Sequence, residues 1–470
     1  MTFREWIVAV GAVAALLQWL MIPHLLAQRC KSPNSTLAWL WALIFIPGIG
    51  LFYFLIGNER VQRKRLALVR ALDSQLEATP AGSSRKRRAM LAAAMPELER
   101  VNGMPATAGN TASLLPDGTS FFPVMLEVIH SAQHHLHLEF YIWRNDRAGR
   151  AVRDALVKAA QRGVQVRVLV DEMGSFFTRR AFFAPLIAAG GEFSWFNSIS
   201  LRRWRFNLNL RNHRKLVVAD GTTALTGGMN VADEYWRGSD LPPYRDLGVR
   251  LNGPLVSQLA EVFAQDWFFS TGQPLTSVEY YPSIDACGEV GGQVVAGAPD
   301  NDIDEVQLST IALIHRAEKR IRLITPYFVP ERALLAALQL AGMRGVDVAL
   351  LVPEKCDRFY LTHVMRSYYD DLLPHGIRIL EYQPRMIHAK ALTVDGLYTM
   401  AGSANLDIRS LRINFELNVL LTCKATTQAA DQFFDQTAME SHAVTLEEYQ
   451  RRPLRHKIAE AIFRPAAPLL

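Results

Sequence analysis

Residues 213–230 read HRKLVVADGTTALTGGMN, and residues 388–405 read HAKALTVDGLYTMAGSAN. Both stretches contain the pattern His-x-Lys-x-x-x-x-Asp-x-x-x-x-x-x-Gly-x-x-Asn with the same internal spacing. The first copy consists of His213, Lys215, Asp220, Gly227 and Asn230, and the second of His388, Lys390, Asp395, Gly402 and Asn405. One match by accident is expected in roughly ten thousand chains of this length, so two matches indicate an internal duplication.

The rest of the chain supports this duplication. Strand and helix patterns alternate from Leu114 onward, and the same order recurs after a linker predicted at residues 274–304. The segments Arg162-Gly163-Val164 and Arg344-Gly345-Val346 occupy matching places in the two repeats. The predicted fold class is α/β, with duplicated units at 114–273 and 305–470 packed about a pseudo-twofold axis that brings both motifs together. A helical linker is predicted at 61–113, and an amphipathic tail at Arg451–Phe463.

The start of the chain predicts a membrane anchor. Two apolar runs, Trp6–Ala27 and Leu37–Gly57, each have the length of a bilayer-spanning helix and form a predicted hairpin over residues 1–60. A cleaved signal peptide is the alternative for the first run, but the second run and the lack of a cleavage site argue against it. Lysine and arginine are more frequent after the second run than between the runs, which places the catalytic body in the cytoplasm.

The net charge of +6 favours an anionic partner, either nucleic acid or a membrane surface. The basic stretch Arg202-Arg203-Trp204-Arg205 could bind either partner or form a solvated loop. Phe176 and Phe177 are candidates for insertion into lipid. The four cysteines are scattered, which argues against a zinc site and a disulfide scaffold. Nothing in the sequence specifies an oligomeric state.

The motif residues suit covalent chemistry on a phosphodiester. Histidine and lysine two positions apart on a strand point to the same side. Two such sets facing each other supply two imidazoles and two ammonium groups, which complement the negative charge of a pentacoordinate phosphorus. One histidine can attack phosphorus while the other protonates the leaving oxygen and then activates the incoming hydroxyl. The lysines provide the charge, so neither a metal nor a cofactor is predicted. Asp220 and Asp395 are expected to hold the local turn or the lysine.

These motifs resemble those of the phospholipase D superfamily, and the chain is most similar to the bacterial cardiolipin synthases within it. The similarity extends nearly end to end. Besides the motifs, it is carried by Phe140-Tyr141-Ile142-Trp143, Tyr244-Arg245-Asp246, Thr325-Pro326-Tyr327-Phe328-Val329-Pro330 and Asn414-Phe415-Glu416. The resemblance implies phosphatidyl transfer between two phosphatidylglycerol molecules at the bacterial inner membrane, giving cardiolipin and glycerol.

The resemblance also implies residue roles. An acid outside each motif orients the histidine, and by position this role falls to Glu416 for His388 and to Asp246 for His213. We expect His213 to be the nucleophile and His388 the general acid and base.

The downstream part of each motif is expected to support the phosphate. Asn230, Asn405 and Ser403 are the candidates. Gly228 stands where the second motif has Ser403, which suggests that the two halves bind the phosphate unequally.

Three other functions remain open from the sequence. A membrane-anchored phospholipase D would use the same residues with water as the acceptor. A phosphodiesterase or nuclease of the same superfamily is disfavoured by the apolar runs, since nucleic acid needs no bilayer-embedded path. A non-catalytic membrane scaffold is disfavoured by the two intact motifs.

Overall fold

The computed structural model describes residues 95–196, 210–238, 242–299 and 303–469, together with a few isolated positions before residue 95. Apart from those positions, the predicted spans Trp6–Ala27 and Leu37–Gly57 lie outside the described residues, as does the basic stretch at 202–205. No helix within the described part of the chain is long and apolar enough to cross a membrane.

The first half of the described chain alternates helices and strands. In chain order it contains α1 (Pro96–Asn102), β1 (Thr107–Pro116), α2 (Asp117–Ser131), β2 (His135–Phe140), α3 (Arg147–Gln161), β3 (Gln165–Asp171), α4 (Ala184–Ala188), β4 (Glu192–Phe196), β5 (Leu216–Ala219), β6 (Thr223–Gly227), α5 (Asp233–Trp236), β7 (Leu247–Asn252) and α6 (Leu255–Thr271).

The second half repeats this order and adds a C-terminal extension. It contains β8 (Val290–Gly297), α7 (Glu305–Arg316), β9 (Arg320–Ile324), β10 (Phe328–Val329), α8 (Arg332–Met343), β11 (Asp347–Pro353), α9 (Phe359–Arg366), α10 (Tyr369–Leu372), β12 (Arg378–Tyr382), β13 (Ala391–Val394), β14 (Tyr398–Gly402), β15 (Leu406–Asp407), α11 (Ile408–Arg412), β16 (Glu416–Thr422), α12 (Lys424–Met439), β17 (Ser441–Val444), α13 (Leu446–Gln450) and α14 (Leu454–Phe463).

The two sides of the main sheet have corresponding strand orders when they are read outward from the central pair, β8 and β1. Among the described residues, fifteen strands are hydrogen-bonded in the order β17-β12-β11-β9-β13-β14-β16-β8-β1-β7-β6-β5-β2-β3-β4. Outward from the central pair, β7-β6-β5-β2-β3-β4 on one side corresponds to β16-β14-β13-β9-β11-β12 on the other. In each series the outer three strands are parallel and the inner pairs are antiparallel. The predicted duplicated α/β architecture is confirmed.

Each half has its own hydrophobic core between sheet and helices. Leu136, Val168 and Val217 lie in the first core, and Leu323 and Leu350 lie in the second. Among the outer parallel strands, β3 and β11 are buried over most of their length and read in the sequence as apolar runs. The position of β4 was also predicted closely, and it is observed at Glu192–Phe196 as predicted.

The two central strands lie in segments that the sequence predicted as linkers. β8 is within 274–304, and β1 begins within 61–113. Both are rich in glycine and small polar residues, and polar side chains of β1 donate hydrogen bonds to β8. Thr107 Oγ1 donates to the Gly292 carbonyl at 3.1 Å, and Asn110 Nδ2 donates to the Val290 carbonyl at 3.0 Å. A strand held by such contacts shows no apolar alternation, which is why the linker interpretation was wrong for these residues.

The repeated Arg-Gly-Val segments have the same structural role in both halves. Arg162 donates to the carbonyls at the end of α2, including Ala132, and Arg344 donates to those at the end of α7, including Ala317. Gly163 and Gly345 follow with positive φ angles of 91° and 82°, which glycine adopts without strain. The segment therefore ends α3 or α8 and ties it to the helix before it.

Candidate active site

His213 is positioned by a strand of the other half. Its backbone N–H donates to the Phe415 carbonyl at 2.9 Å, and the Phe415 N–H donates to the Arg211 carbonyl at 2.9 Å. This parallel bridge carries the next residue, Glu416, to the imidazole. The Nδ1 atom of His213 lies 2.9 and 3.0 Å from the two carboxylate oxygens of Glu416.

His388 has the symmetry-related arrangement. Its N–H donates to the Arg245 carbonyl at 2.7 Å, and the Arg245 N–H donates to the Met386 carbonyl at 2.9 Å. The following residue, Asp246, has a carboxylate oxygen 2.8 Å from His388 Nδ1.

The orienting acids are therefore exchanged between the halves. The sequence assigned Glu416 to His388 and Asp246 to His213, and both pairings are wrong. Both acids are orienting partners, but each belongs to the histidine of the opposite half. Adjacency along the chain favoured the pairing within a half, whereas the bridges at Phe415 and Arg245 carry each acid across the pseudo-twofold axis.

Burial keeps both imidazoles neutral in the resting site. His213 is 9% exposed and His388 is 6% exposed. Burial lowers the pKa of His213 to about 4 against the opposing effect of Glu416. Burial and the charge of Lys390 lower the pKa of His388 to about 3. A carboxylate can only accept, so Nδ1 carries the proton and Nε2 the lone pair in each imidazole, and the lone pair of His388 faces the Lys390 ammonium.

The two lysines bring positive charge into the same buried space. The ammonium group of Lys390 lies 3.0 Å from His388 Nε2, and that of Lys215 donates to the His213 carbonyl. Burial lowers the pKa of Lys215 well below its usual value and lowers that of Lys390 to about 8. Each lysine also lowers the pKa of the histidine in the opposite half, and the bridges at Phe415 and Arg245 bring the two motifs into one site.

The motif aspartates hold turns and do not contact the lysines. Asp220 accepts from the N–H groups of Gln133, His134 and His135 at 2.7–2.9 Å. Asp395 accepts from the N–H groups of residues 318, 319 and 320 at 2.8–2.9 Å. Both aspartates have positive φ angles, 51° and 52°. They fix the start of β2 and β9 against the end of β5 and β13, as their predicted turn role requires.

Gly228 and Ser403 differ because they face the orienting acids. A Cβ atom at Gly228 would lie 2.2 Å from Asp246 Oδ1, so a side chain there would displace the acid. Ser403 instead donates its hydroxyl to Glu416 Oε2 and accepts the Leu417 N–H at 2.9 Å. The difference between Gly228 and Ser403 was expected to affect phosphate binding. In the structure it affects how the carboxylates of Asp246 and Glu416 are held.

The motif asparagines also support their surroundings. Asn230 accepts the Ile142 N–H at 3.0 Å and donates to the Tyr235 hydroxyl at 2.9 Å. Asn405 donates to Asp407 at 3.0 Å, while its Oδ1 is buried without a hydrogen-bond partner. Asn230 therefore holds the ring of Tyr235, which stands edge-on to His388 with its centroid 5.2 Å away.

The two histidines have different neighbours. Tyr141 stands edge-on to His213 with its ring centroid 4.9 Å away. Burial and Asp171 raise the pKa of Tyr141, whereas three arginines lower it: Arg211, Arg409 and Arg358. Near His388, burial and the carboxylates of Glu234 and Asp357 raise the pKa of Tyr244 to about 12 against the effect of Arg144. Tyr141 and Tyr244 lie in blocks that carry the resemblance, but neither ring was predicted to belong to the site.

A buried ion pair behind His213 was also missed. Arg214 pairs with Asp266 of α6 and donates to the carbonyls of Glu416 at 3.1 Å and Gly297 at 3.0 Å. It thereby joins the first motif to β16 and β8 of the second half. The second motif has Ala389 at the matching position. An arginine between two catalytic candidates is indistinguishable in sequence from a surface residue.

The described residues contain no cluster of three or more His, Cys, Asp or Glu side chains arranged to hold a metal ion. The site brings together two neutral imidazoles, two buried carboxylates and two lysines. This arrangement, on a duplicated α/β fold, defines a phospholipase D-like protein.

Comparison with solved structures supports the fold. The fold is similar to that of phosphatidylserine synthase from Haemophilus influenzae, with a TM-score of 0.60, 16% identity, and coverage of 80% of this chain and 97% of that one. It is also similar to polyphosphate kinase from Porphyromonas gingivalis, with a TM-score of 0.51, 14% identity, and coverage of 78% and 53%. At these identities the likeness concerns the fold alone.

The sequence belongs to the cardiolipin synthase family with phospholipase D-like domains, whose model matches residues 125–267 and 310–438. The chain is 35% identical to the major cardiolipin synthase of Bacillus subtilis, covering 94% of each protein. It is 34% identical to the cardiolipin synthase of Geobacillus thermodenitrificans, covering 96% of this chain and 91% of the relative.

The turn role of Asp220 predicts a separation of stability from catalysis. Asp220→Ala removes an acceptor for three N–H groups and should lower the free energy of unfolding by about 2 kcal/mol. Activity per folded molecule should stay within about twofold. Asp220→Asn retains an acceptor and tolerates a positive φ, so it is the matched control. A stable but inactive Asp220→Ala protein, judged by thermal unfolding and turnover, would assign Asp220 to the chemistry.

The depressed histidine pKa values predict a pH dependence of stability. An unfolded histidine binds a proton below pH 6.5, but the folded His213 and His388 do so only below about pH 4 and 3. The unfolded state therefore binds more protons in this window, and stability falls as the pH drops from 6.5 towards 4. The double variant His213→Gln/His388→Gln should reduce the fall of the unfolding temperature across that window, while His135 and His137, whose pKa values burial also lowers, retain the rest. An unchanged slope would contradict the buried neutral state.

Proposed function

We propose that the chain is a cardiolipin synthase that transfers a phosphatidyl group between two phosphatidylglycerol molecules. The observation that carries the proposal is the pair of neutral imidazoles, each oriented by a buried carboxylate of the other half beside a buried lysine. Two such imidazoles suit a double displacement at phosphorus, in which one is the nucleophile and the other moves the proton. The chain's similarity to cardiolipin synthases over most of their length supports this substrate.

In the first step, Nε2 of one histidine attacks phosphorus of the donor lipid. The bond from phosphorus to the headgroup oxygen breaks, and the second histidine gives that oxygen a proton, releasing glycerol. In the second step, the same histidine takes a proton from the terminal hydroxyl of the acceptor phosphatidylglycerol. That hydroxyl attacks phosphorus, the phosphorus–nitrogen bond breaks, and cardiolipin leaves with the first histidine restored. The two lysines stabilise the charge on the phosphoryl oxygens.

The charge around the two histidines supports His213 as the nucleophile. Its side of the site carries Arg211, Arg409 and Arg358, which suit the phosphodiester of an anionic lipid. The side of His388 carries Tyr235, Tyr244 and nearby carboxylates, which suit the hydroxyl groups of the leaving glycerol and the incoming acceptor. The binding of an anionic phosphate between the histidines favours the protonated form of His388 that the first step needs.

The sequence places this site beside a bilayer. We propose that the apolar runs within residues 1–60 anchor the chain and that the catalytic units face the cytoplasm. An anchored site meets a substrate that is itself held in the membrane.

Turnover of one lipid tests the reaction. Purified protein in micelles with phosphatidylglycerol as the only phospholipid should produce cardiolipin and glycerol in equal amounts. A chelator should leave the rate unchanged, because the lysines supply the positive charge. Phosphatidic acid without cardiolipin would instead assign the chain to the phospholipase D hydrolases. Absence of any turnover would reject both.

Trapping of the intermediate tests the roles of the histidines. His388→Ala removes the acid and base but keeps the nucleophile. With a donor lipid whose leaving group needs no proton, such as p-nitrophenolate, a phosphatidyl group labelled at phosphorus should therefore accumulate on the enzyme. Peptide mapping should place the label on His213, and His213→Ala should trap none. A label on any other residue overturns the assignment. Glu416→Gln leaves His213 without its carboxylate, and we expect it to slow formation of the trapped species about 100-fold.

A further inference from the structure

Helix α14 is inverted in one respect: the acid Glu460 lies inside, whereas three aliphatic residues lie outside. Glu460 of α14 is 3% exposed, whereas Leu454, Ile458 and Ile462 are 70%, 50% and 64% exposed. The three aliphatic residues are spaced by four, so they form one stripe along the outward face. A water-exposed helix normally has the opposite pattern, because apolar side chains gain free energy from burial.

Polar contacts on the inner side explain how this orientation is held. Glu460 accepts from Arg452 Nε at 2.9 Å and from the Tyr449 hydroxyl at 3.1 Å. The guanidinium of Arg452 also lies over the Tyr449 ring, with its carbon 3.5 Å from the ring centroid. Arg452 lies in the predicted amphipathic tail, but Glu460 and Tyr449 hold its guanidinium on the inner side. These contacts fix the rotation of the helix and leave its aliphatic stripe uncovered.

Basic residues flank the stripe. At about 100° per residue, Arg455 and Lys457 lie on opposite sides of the Leu454–Ile458–Ile462 line. Both are exposed, and neither forms an ion pair with any residue in the described part of the chain. An apolar stripe between exposed cations is the pattern of a helix that lies in the interface of an anionic bilayer.

The stripe continues towards the active site. Phe359 at the start of α9 is 72% exposed, and its ring centroid lies 5.8 Å from that of Phe463 in α14. Its neighbour Arg358 is one of the arginines whose charge lowers the pKa of Tyr141, the ring beside His213. A surface covering Phe359 would therefore adjoin the cationic side of the site.

We propose that the outward face of α14, together with Phe359, docks on the headgroup region of an anionic phospholipid bilayer. Charge complementarity favours this occupant over a second copy of the chain. A twofold contact would set the same cationic border against itself, whereas anionic headgroups neutralise Arg455 and Lys457 while the acyl region receives the aliphatic side chains. Docking would bring bilayer phosphates next to Phe359 and Arg358. Its link to lipid access rests on the function proposed above, whereas the docking itself does not.

A fluorescence experiment tests the docking without turnover. An environment-sensitive fluorophore is attached at Ile458→Cys in the full-length protein, reconstituted in bilayer discs. Met439→Cys, at an 84% exposed position of α12, is the matched control, and the unsubstituted protein labelled in parallel gives the background of native cysteines. Nitroxide-labelled lipids should quench the probe at residue 458 at least threefold more than the probe at 439 in discs containing phosphatidylglycerol. The difference should shrink in discs of phosphatidylcholine alone.

Each other outcome rejects the proposal. Equal quenching at both positions would show that α14 does not enter the bilayer. A blue-shifted but unquenched probe at 458 that responds to the number of protein copies per disc would assign the stripe to a contact between copies.

A matched pair of variants links docking to lipid access. Ile458→Ser/Ile462→Ser should raise the KM for phosphatidylglycerol in vesicles about tenfold while leaving kcat in detergent micelles unchanged. Met343→Ser/Met439→Ser removes two exposed side chains from other helices and should change neither value. Equal losses in vesicles and micelles would indicate a structural role for the stripe and contradict the proposal.

Discussion

The exchange of carboxylates between the halves is the interaction on which the site depends. Glu416 and Asp246 are completely buried, and a buried carboxylate is costly unless hydrogen bonds and opposite charge compensate it. Their partners are the imidazoles of the opposite half, so neither half can bury its acid alone. Although burial raises the pKa of both acids, contact with the histidine and lysine holds each pKa below its usual value. The catalytic contacts thus also join the two halves.

The same contacts decide what the histidines can do. A neutral imidazole with its Nδ1 proton committed to a carboxylate presents the Nε2 lone pair in a fixed direction. The strand bridges at Phe415 and Arg245 fix the backbone on both sides of each contact. The lysines then add positive charge where burial leaves little water to screen it. The proposed chemistry uses one histidine as nucleophile and one as acid, which requires unequal surroundings. The arginines near Tyr141 and the carboxylates near Tyr244 provide that inequality.

Much of the fold and of the site could be predicted from the sequence. Strands buried on both faces, such as β3 and β11, appear as apolar runs, and the repeated motif identified both histidines and lysines. β1 and β8 could not be predicted, because they are held by polar and glycine-rich contacts between the halves. The pairing of the acids failed for a related reason: chain order carries no information on which backbone crosses the pseudo-twofold axis. Arg214 and the inverted face of α14 likewise became recognisable only from their partners and exposure.

The presence of two similar units in one chain has a consequence for which substitutions the site can accept. In a symmetric dimer of single units, every substitution alters both His-Lys sets at once. A change that suits one histidine to act as an acid would therefore also change the histidine that must act as a nucleophile. Joining the units in one chain removes that constraint, because each copy accepts substitutions separately. Two differences between the halves are consistent with this freedom: Asp246 lies beside Gly228, whereas Glu416 lies beside Ser403. The fused chain can therefore hold a division of labour that no twofold-symmetric assembly of identical subunits could encode.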